Sequence, residues 1–221
     1  MQPSKIILAV MTLSILSINF FADEIKIGLG TQLPPYVIRP SDNMPGSQIP
    51  PYEVPESGTG MELEIIKAAL GRKGHKLVPV FLTLDNVEEE VQKNPIDGIS
   101  PCDETLKLKD KEIKFSETHI SYHNMAITNR KSGLKITSVK DLAGKKVYAF
   151  QNAKLYLGED FHKMAEHNKE YQEIPLRGKH LTTAMNEKDA VIIMDRNIFA
   201  YYIAKYSVLG LKGLDQFAFH N

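Results

Sequence analysis

Cysteine is almost missing. Cys102 stands alone in 221 residues, so no disulfide can form within the chain and no paired-thiol metal or redox site can be built. Tryptophan is absent. Neither sign of charge dominates: 27 Lys and Arg meet 27 Asp and Glu, which leaves no basic excess for nucleic acid and no acidic tail. No HExxH or EF-hand spacing occurs, so neither a metal nor any other cofactor is expected. After residue 22 no apolar run is long enough to cross a bilayer. Repeats and low-complexity tracts are lacking too.

The N-terminus is distinctive. "MQPSKIILAVMTLSILSINFFADE" places one lysine before a mostly apolar run over residues 6–21 and then Ala22, the outline of a secretory signal. Thr12, Ser14, Ser17 and Asn19 interrupt the run, and it is short for a span of about 20 apolar residues. We therefore expect residues 1–22 to be removed and the mature protein to be periplasmic, near-neutral and not embedded in a membrane.

Beyond the leader, "EIKIGLG" (24–30) reads as a strand. Residues 31–60 hold seven of the twelve prolines and read as a long loop. "GMELEIIKAALGRKG" reads as a helix with Met61, Ile65, Ile66, Ala69 and Leu70 inward, capped by Ser57 or Thr59 and ended by Gly71 or Gly74. "HKLVPVFL" is a strand, "TLDNVEEEVQKN" a helix with Leu84, Val87 and Val91 inward, and "IDGIS" a third strand. An extended stretch, "HISYHNMAITNR", leads to a second α/β unit. There "KVYAF", "YQEIPL" and the apolar "DAVIIMD" are strands; "QNAKLYLGEDFHKMAEHN", "LTTAMNEK" and "RNIFAYYIAKYS" are helices. Helical crossovers of this kind imply parallel sheets.

In order and spacing, "IKIGLG…PPY", "GMELEIIKAAL", "IDGIS…KFSETHISYHNMAI", "SVKDLAGKKVYAFQNA" and "DAVIIMD" resemble the periplasmic (extracellular) solute-binding proteins of the polar amino-acid type (family 3) that serve ABC importers. The likeness runs from about residue 24 to 205. It implies an α/β, two-lobe, type II periplasmic-binding-protein-like clamshell: lobe 1 over 23–121, lobe 2 with its crossing strand over 122–208, and the start of a return crossing over 209–221. Members of that family continue for several more elements, so the chain reads as C-terminally shortened and lobe 1 as incomplete. The implied function is binding of a small polar solute, an amino acid or related charged metabolite, for ABC-type import. The implied partners are that ligand and an ABC permease or membrane sensor. A periplasmic dehydratase-like enzyme, using Glu104 or His119, and a ligand-sensing module are the alternatives; a non-enzyme is preferred.

The resemblance also nominates site residues. The family's carboxylate-binding arginine, six before Phe115, is Lys109 here, which keeps the charge without the planar fork; a solvated lysine face beside Lys107 and Lys111 is the other reading. Gln151 and Asn152 stand where a strand enters a helix, Asn152 and Ala153 replacing the family's Gly-Thr pair. Asp195 serves either as the ligand's acid or as a helix cap. Tyr36 of "PPY" is the nearest ring to the first strand's end, where Gly30 stands in place of an acid. Ser100 closes "IDGIS", and Tyr122, with His119 and His123, lies in the crossing segment. Cys102 reads as a small filler; Phe199, Tyr201 and Tyr202 read as core.

Overall fold

The computed structural model describes residues 22–30, 33–40, 56–82, 87–102, 112–175, 178–207 and 213–221. In the first half, β1 (Glu24–Gly30) is followed by α1 (Met61–Gly71), β2 (Lys76–Leu82), α2 (Val87–Lys93) and β3 (Gly98–Ser100). The strands form one parallel sheet ordered β2-β1-β3, with Gly30 level with Leu82 and Leu29 level with Ser100. The second half contains β4 (Asn124–Asn129), β5 (Lys146–Ala149), α3 (Ala153–Tyr156), α4 (Glu159–His167), β6 (Tyr171–Glu173), α5 (Gly178–Asn186), β7 (Ala190–Asp195), α6 (Arg196–Ser207) and β8 (Phe217–His220). Its five strands are ordered β6-β5-β7-β4-β8; β5, β6 and β7 run parallel, and β4 is antiparallel to both neighbours. Among the described residues the strands therefore form two separate sheets.

The second sheet holds most of the core. Every residue of β7 is buried, as a strand covered on both faces requires. Its side chains alternate: Ile192 and Met194 pack with Leu181, Ile198 and Phe199 of α5 and α6, while Val191 and Ile193 pack with Phe161 and Met164 of α4. The first sheet has a smaller buried cluster of Leu29, Val37 and Leu63.

Several sequence expectations change. On α1 the buried positions are Glu62 and Leu63, whereas Met61 and Ile65 are each 43% exposed and Ala69 is exposed. The helix is rotated so that its first-turn acid faces inward. Neither Ser57 nor Thr59 caps it; the cap position is Gly60. The single helix expected over 151–168 is two helices, α3 and α4, separated at Gly158, whose φ of 85° breaks the helical path. Cys102 is exposed, so it fills no core. Phe199 and Tyr202 are buried and Tyr201 half-buried, as a core role requires. Val91 is buried; Leu84 lies outside the described residues. The C-terminal segment forms β8 on the open side of β4, running antiparallel to it so that His220 pairs with Ala126.

Candidate ligand site

The carboxyl ends of both sheets converge on one seam. Gly30 and Ser100 end strands of the first sheet, and Asp195 ends β7 of the second. Loops and helix starts at such strand ends are where open α/β sheets hold ligands.

Tyr36 sits in the segment after β1 and is 1% exposed. Gly60 fixes its position. That residue has φ 129°, and an added Cβ would lie 2.2 Å from the Tyr36 carbonyl oxygen. With no side chain there, the first turn of α1 comes close enough for the Met61 and Glu62 amides to donate to the carbonyls of Pro35 and Tyr36, each at 3.0 Å. Two of the amides that a helix start leaves unpaired are thereby satisfied. The Tyr36 ring then reaches out of the first half and packs in the core of the second, among residues that include Ile127, Leu181 and Phe199.

At the far end of that ring the hydroxyl donates to both carboxyl oxygens of Asp195 at 3.1 Å and accepts from the Asn197 side-chain amide at 3.0 Å. Asp195 is 3% exposed and richly bonded. It accepts the Asn197 and Ile198 amides at 2.9 Å, which makes it the cap of α6, and the His123 amide at 2.7 Å, which ties it to the crossing segment.

A second buried acid answers from the first half. Glu62 is fully buried; its oxygens accept from the Ser100 hydroxyl and, at 3.0 Å, from the Tyr122 hydroxyl. His119 Nε2 stands 3.3 Å from Ser100 Oγ and 3.7 Å from Glu62 Oε1. Tyr122 and Tyr36 touch, with ring centroids 4.5 Å apart. Each tyrosine thus bridges to a buried carboxyl group, one in each half. Burial foremost pushes the Tyr36 phenol up to about 12; Asp195 adds to this and the Asn197 bond opposes it. Burial, followed by the charge and hydrogen bond of Glu62, raises Tyr122 further.

Of the residues nominated from sequence, Tyr36, Ser100, Tyr122 and Asp195 come together in this network. Gln151 and Asn152 are not members of it; they are exposed and follow β5, whose last residue Ala149 is level with Ile193 of β7. Lys109 and Glu104 lie outside the described residues. Sequence reasoning missed Glu62 and Asn197. For Glu62 a signal existed, because an acid four and eight residues before Ile66 and Leu70 lies on their helical face. Asn197 gave none. Leu33, Ile120 and Tyr122 pack against the same cluster as Tyr36, so side chains fill the seam at the level of the crossing segment. Among the described residues no group of three or more His, Cys, Asp or Glu is placed to hold a metal, and no helix is long and apolar enough to cross a membrane.

No family model matches the chain, and no curated protein does. Solved structures do. A histidine-bound ABC uptake transporter substrate-binding protein from Streptococcus pneumoniae superposes with a TM-score of 0.59 at 22% identity, over 89% of this chain and 73% of that one. The arginine-bound form of a truncated ArgBP from T. maritima gives 0.56 at 15% identity, over 90% and 82%. A polar amino acid ABC uptake transporter substrate-binding protein from Streptococcus thermophilus gives 0.51 at 20%, over 89% and 68%. The fold is therefore the α/β clamshell of those binding proteins.

Proposed function

We propose that the chain captures a small polar solute between its two halves, outside the cytoplasm, as the binding component of an ABC-type importer or of a related membrane sensor. The observation that carries this reading is the meeting of two independent sheets by their carboxyl ends, with a buried carboxyl group on each side of the seam. The structural neighbours support it, since they are binding proteins solved with amino acids such as histidine and arginine. In this reading residues 1–22 direct export, 23–121 and 122–208 are the two lobes, and 209–221 begins a return crossing. Tyr122 forms the floor of the cleft, and the buried Tyr36 ring supports it from beneath. Ser100 and Asp195 hold that floor in place, Gln151 and Asn152 stand at its rim, and Lys109 is the cation offered to the solute.

A thermal-shift screen of amino acids, small carboxylates and amines tests the proposal. A solute at a hundred times its Kd stabilises the native state by about 2.7 kcal/mol, a rise of roughly 5–10 °C for a chain of this size. Finding no compound that shifts the melting temperature at millimolar concentration contradicts it.

A further inference from the structure

Two pairs of neighbouring residues hold opposite halves of the molecule. Tyr36 is 1% and Val37 0% exposed, yet they belong to different cores. Val37 clusters with Leu29 and Leu63 of the first half, and the Tyr36 ring with Ile127, Leu181 and Phe199 of the second. The backbone here is fixed to the first half: the Tyr36 carbonyl accepts the Glu62 amide at 3.0 Å, and Ile38 exchanges backbone bonds with Thr59 at 2.7 and 2.9 Å. The crossing segment repeats the pattern. Tyr122 donates its hydroxyl to Glu62 of α1 at 3.0 Å. The next residue, His123, donates its amide to Asp195 at 2.7 Å and accepts the Arg196 amide at 3.0 Å. The two pairs meet where the Tyr36 and Tyr122 rings touch.

A clamshell that opens needs a few connecting residues free to absorb backbone rotation, and facing surfaces that can part. Residues 122 and 123 lack that freedom, because one is tied to each half. Parting the halves would draw the Tyr36 ring out of the second core and take its hydroxyl from the buried Asp195. It would also take the Tyr122 hydroxyl from the fully buried Glu62 or tear His123 from Asp195. Buried carboxyl groups left short of donors are costly. The chain's own groups supply both partners of every one of these ties, so a solute is not needed to make them.

We infer that Tyr36 and Tyr122 form a latch: they fasten the two halves in one arrangement, which the molecule keeps with or without a solute instead of opening and closing around it. The inference goes beyond the solute-binding reading and does not depend on it.

Electron–electron double resonance between spin labels at Lys67→Cys on α1 and Lys163→Cys on α4, both exposed positions, tests the latch. The background carries Cys102→Ser, since that cysteine is itself exposed. The protein is unfolded in guanidinium, freed of small molecules, refolded, and measured with and without a millimolar mixture of amino acids. One narrow distance, the same in both samples, is the result expected. A second distance holding more than about 10% of the solute-free molecules overturns the inference. So does a distance that shortens when amino acids are added, an outcome that would itself support solute capture. Tyr36→Ala should gain a longer distance absent from the parent. Where it fails to fold, the double variant Tyr36→Phe, Tyr122→Phe keeps both rings, loses both hydroxyl ties and should gain the same distance. A folded variant with the parent's single distance overturns the latch and leaves the two tyrosines as core residues only.

Discussion

At the scale of single residues, the seam turns on Asp195 and Tyr36. Asp195 satisfies three backbone amides and the Tyr36 hydroxyl, so its loss strands buried donors as well as removing bonds. Asp195→Ala should cost roughly 2–4 kcal/mol, combining a lost cap with unpaired amides. Tyr36→Phe keeps the ring and should cost about 1–2 kcal/mol; urea denaturation monitored by circular dichroism measures both. The phenols also set an alkaline limit. Tyr36 titrates near 12 in the folded chain against an ordinary value of 10.0, so between those values the native state keeps a proton that the unfolded chain has lost. Its contribution is whole below pH 10 and is lost as pH rises towards 12. Tyr122, raised further, extends the loss in the same direction. Melting temperature should therefore fall between pH 10 and 12, and less steeply in Tyr36→Phe; an equal slope in the two proteins would show that Tyr36 is not the titrating group.

At the scale of elements, the register between α1 and the Tyr36 segment depends on Gly60. Any side chain there meets the Tyr36 carbonyl oxygen at 2.2 Å on a backbone that already disfavours side chains. Gly60→Ala should destabilise by roughly 2 kcal/mol or more and disturb the Tyr36–Asp195 bond with it, visible as altered tyrosine ultraviolet difference spectra. Gly74→Ala is the control: φ is also positive there, but no atom stands within 4 Å, so only backbone strain remains. Elements with a strong pattern could be read in advance. "DAVIIMD" is apolar between its two aspartates because β7 is covered on both faces, and "EIKIGLG" runs between two parallel neighbours. The inward face of α1 could not be read so simply. Its five apolar candidates cover one half of the helix with Glu62 among them, and burial went to Glu62 because hydroxyls from Ser100 and Tyr122, distant in sequence, were there to meet it.

At the scale of the whole molecule, the two halves are joined by polar bonds across the crossing level as well as by chain connection. The order of elements made two α/β units legible from sequence, and the two separate sheets agree. The partners within the seam were less so. Tyr36 and Asp195 are 159 positions apart, and only the folded chain reveals that they satisfy each other. Asp195 is accordingly a cap, one of the two readings its sequence context left open. Tyr36 is part of the second core, where its neighbours in sequence suggested a strand-end ring. Under the function proposed above, the protein should retain its solute through purification. The most direct measurement is mass spectrometry of small molecules released by denaturing the purified protein. One solute at near one-to-one stoichiometry, depleted when the protein carries Asp195→Ala, is the result expected; a protein that releases nothing, and binds nothing from the screen afterwards, contradicts the account.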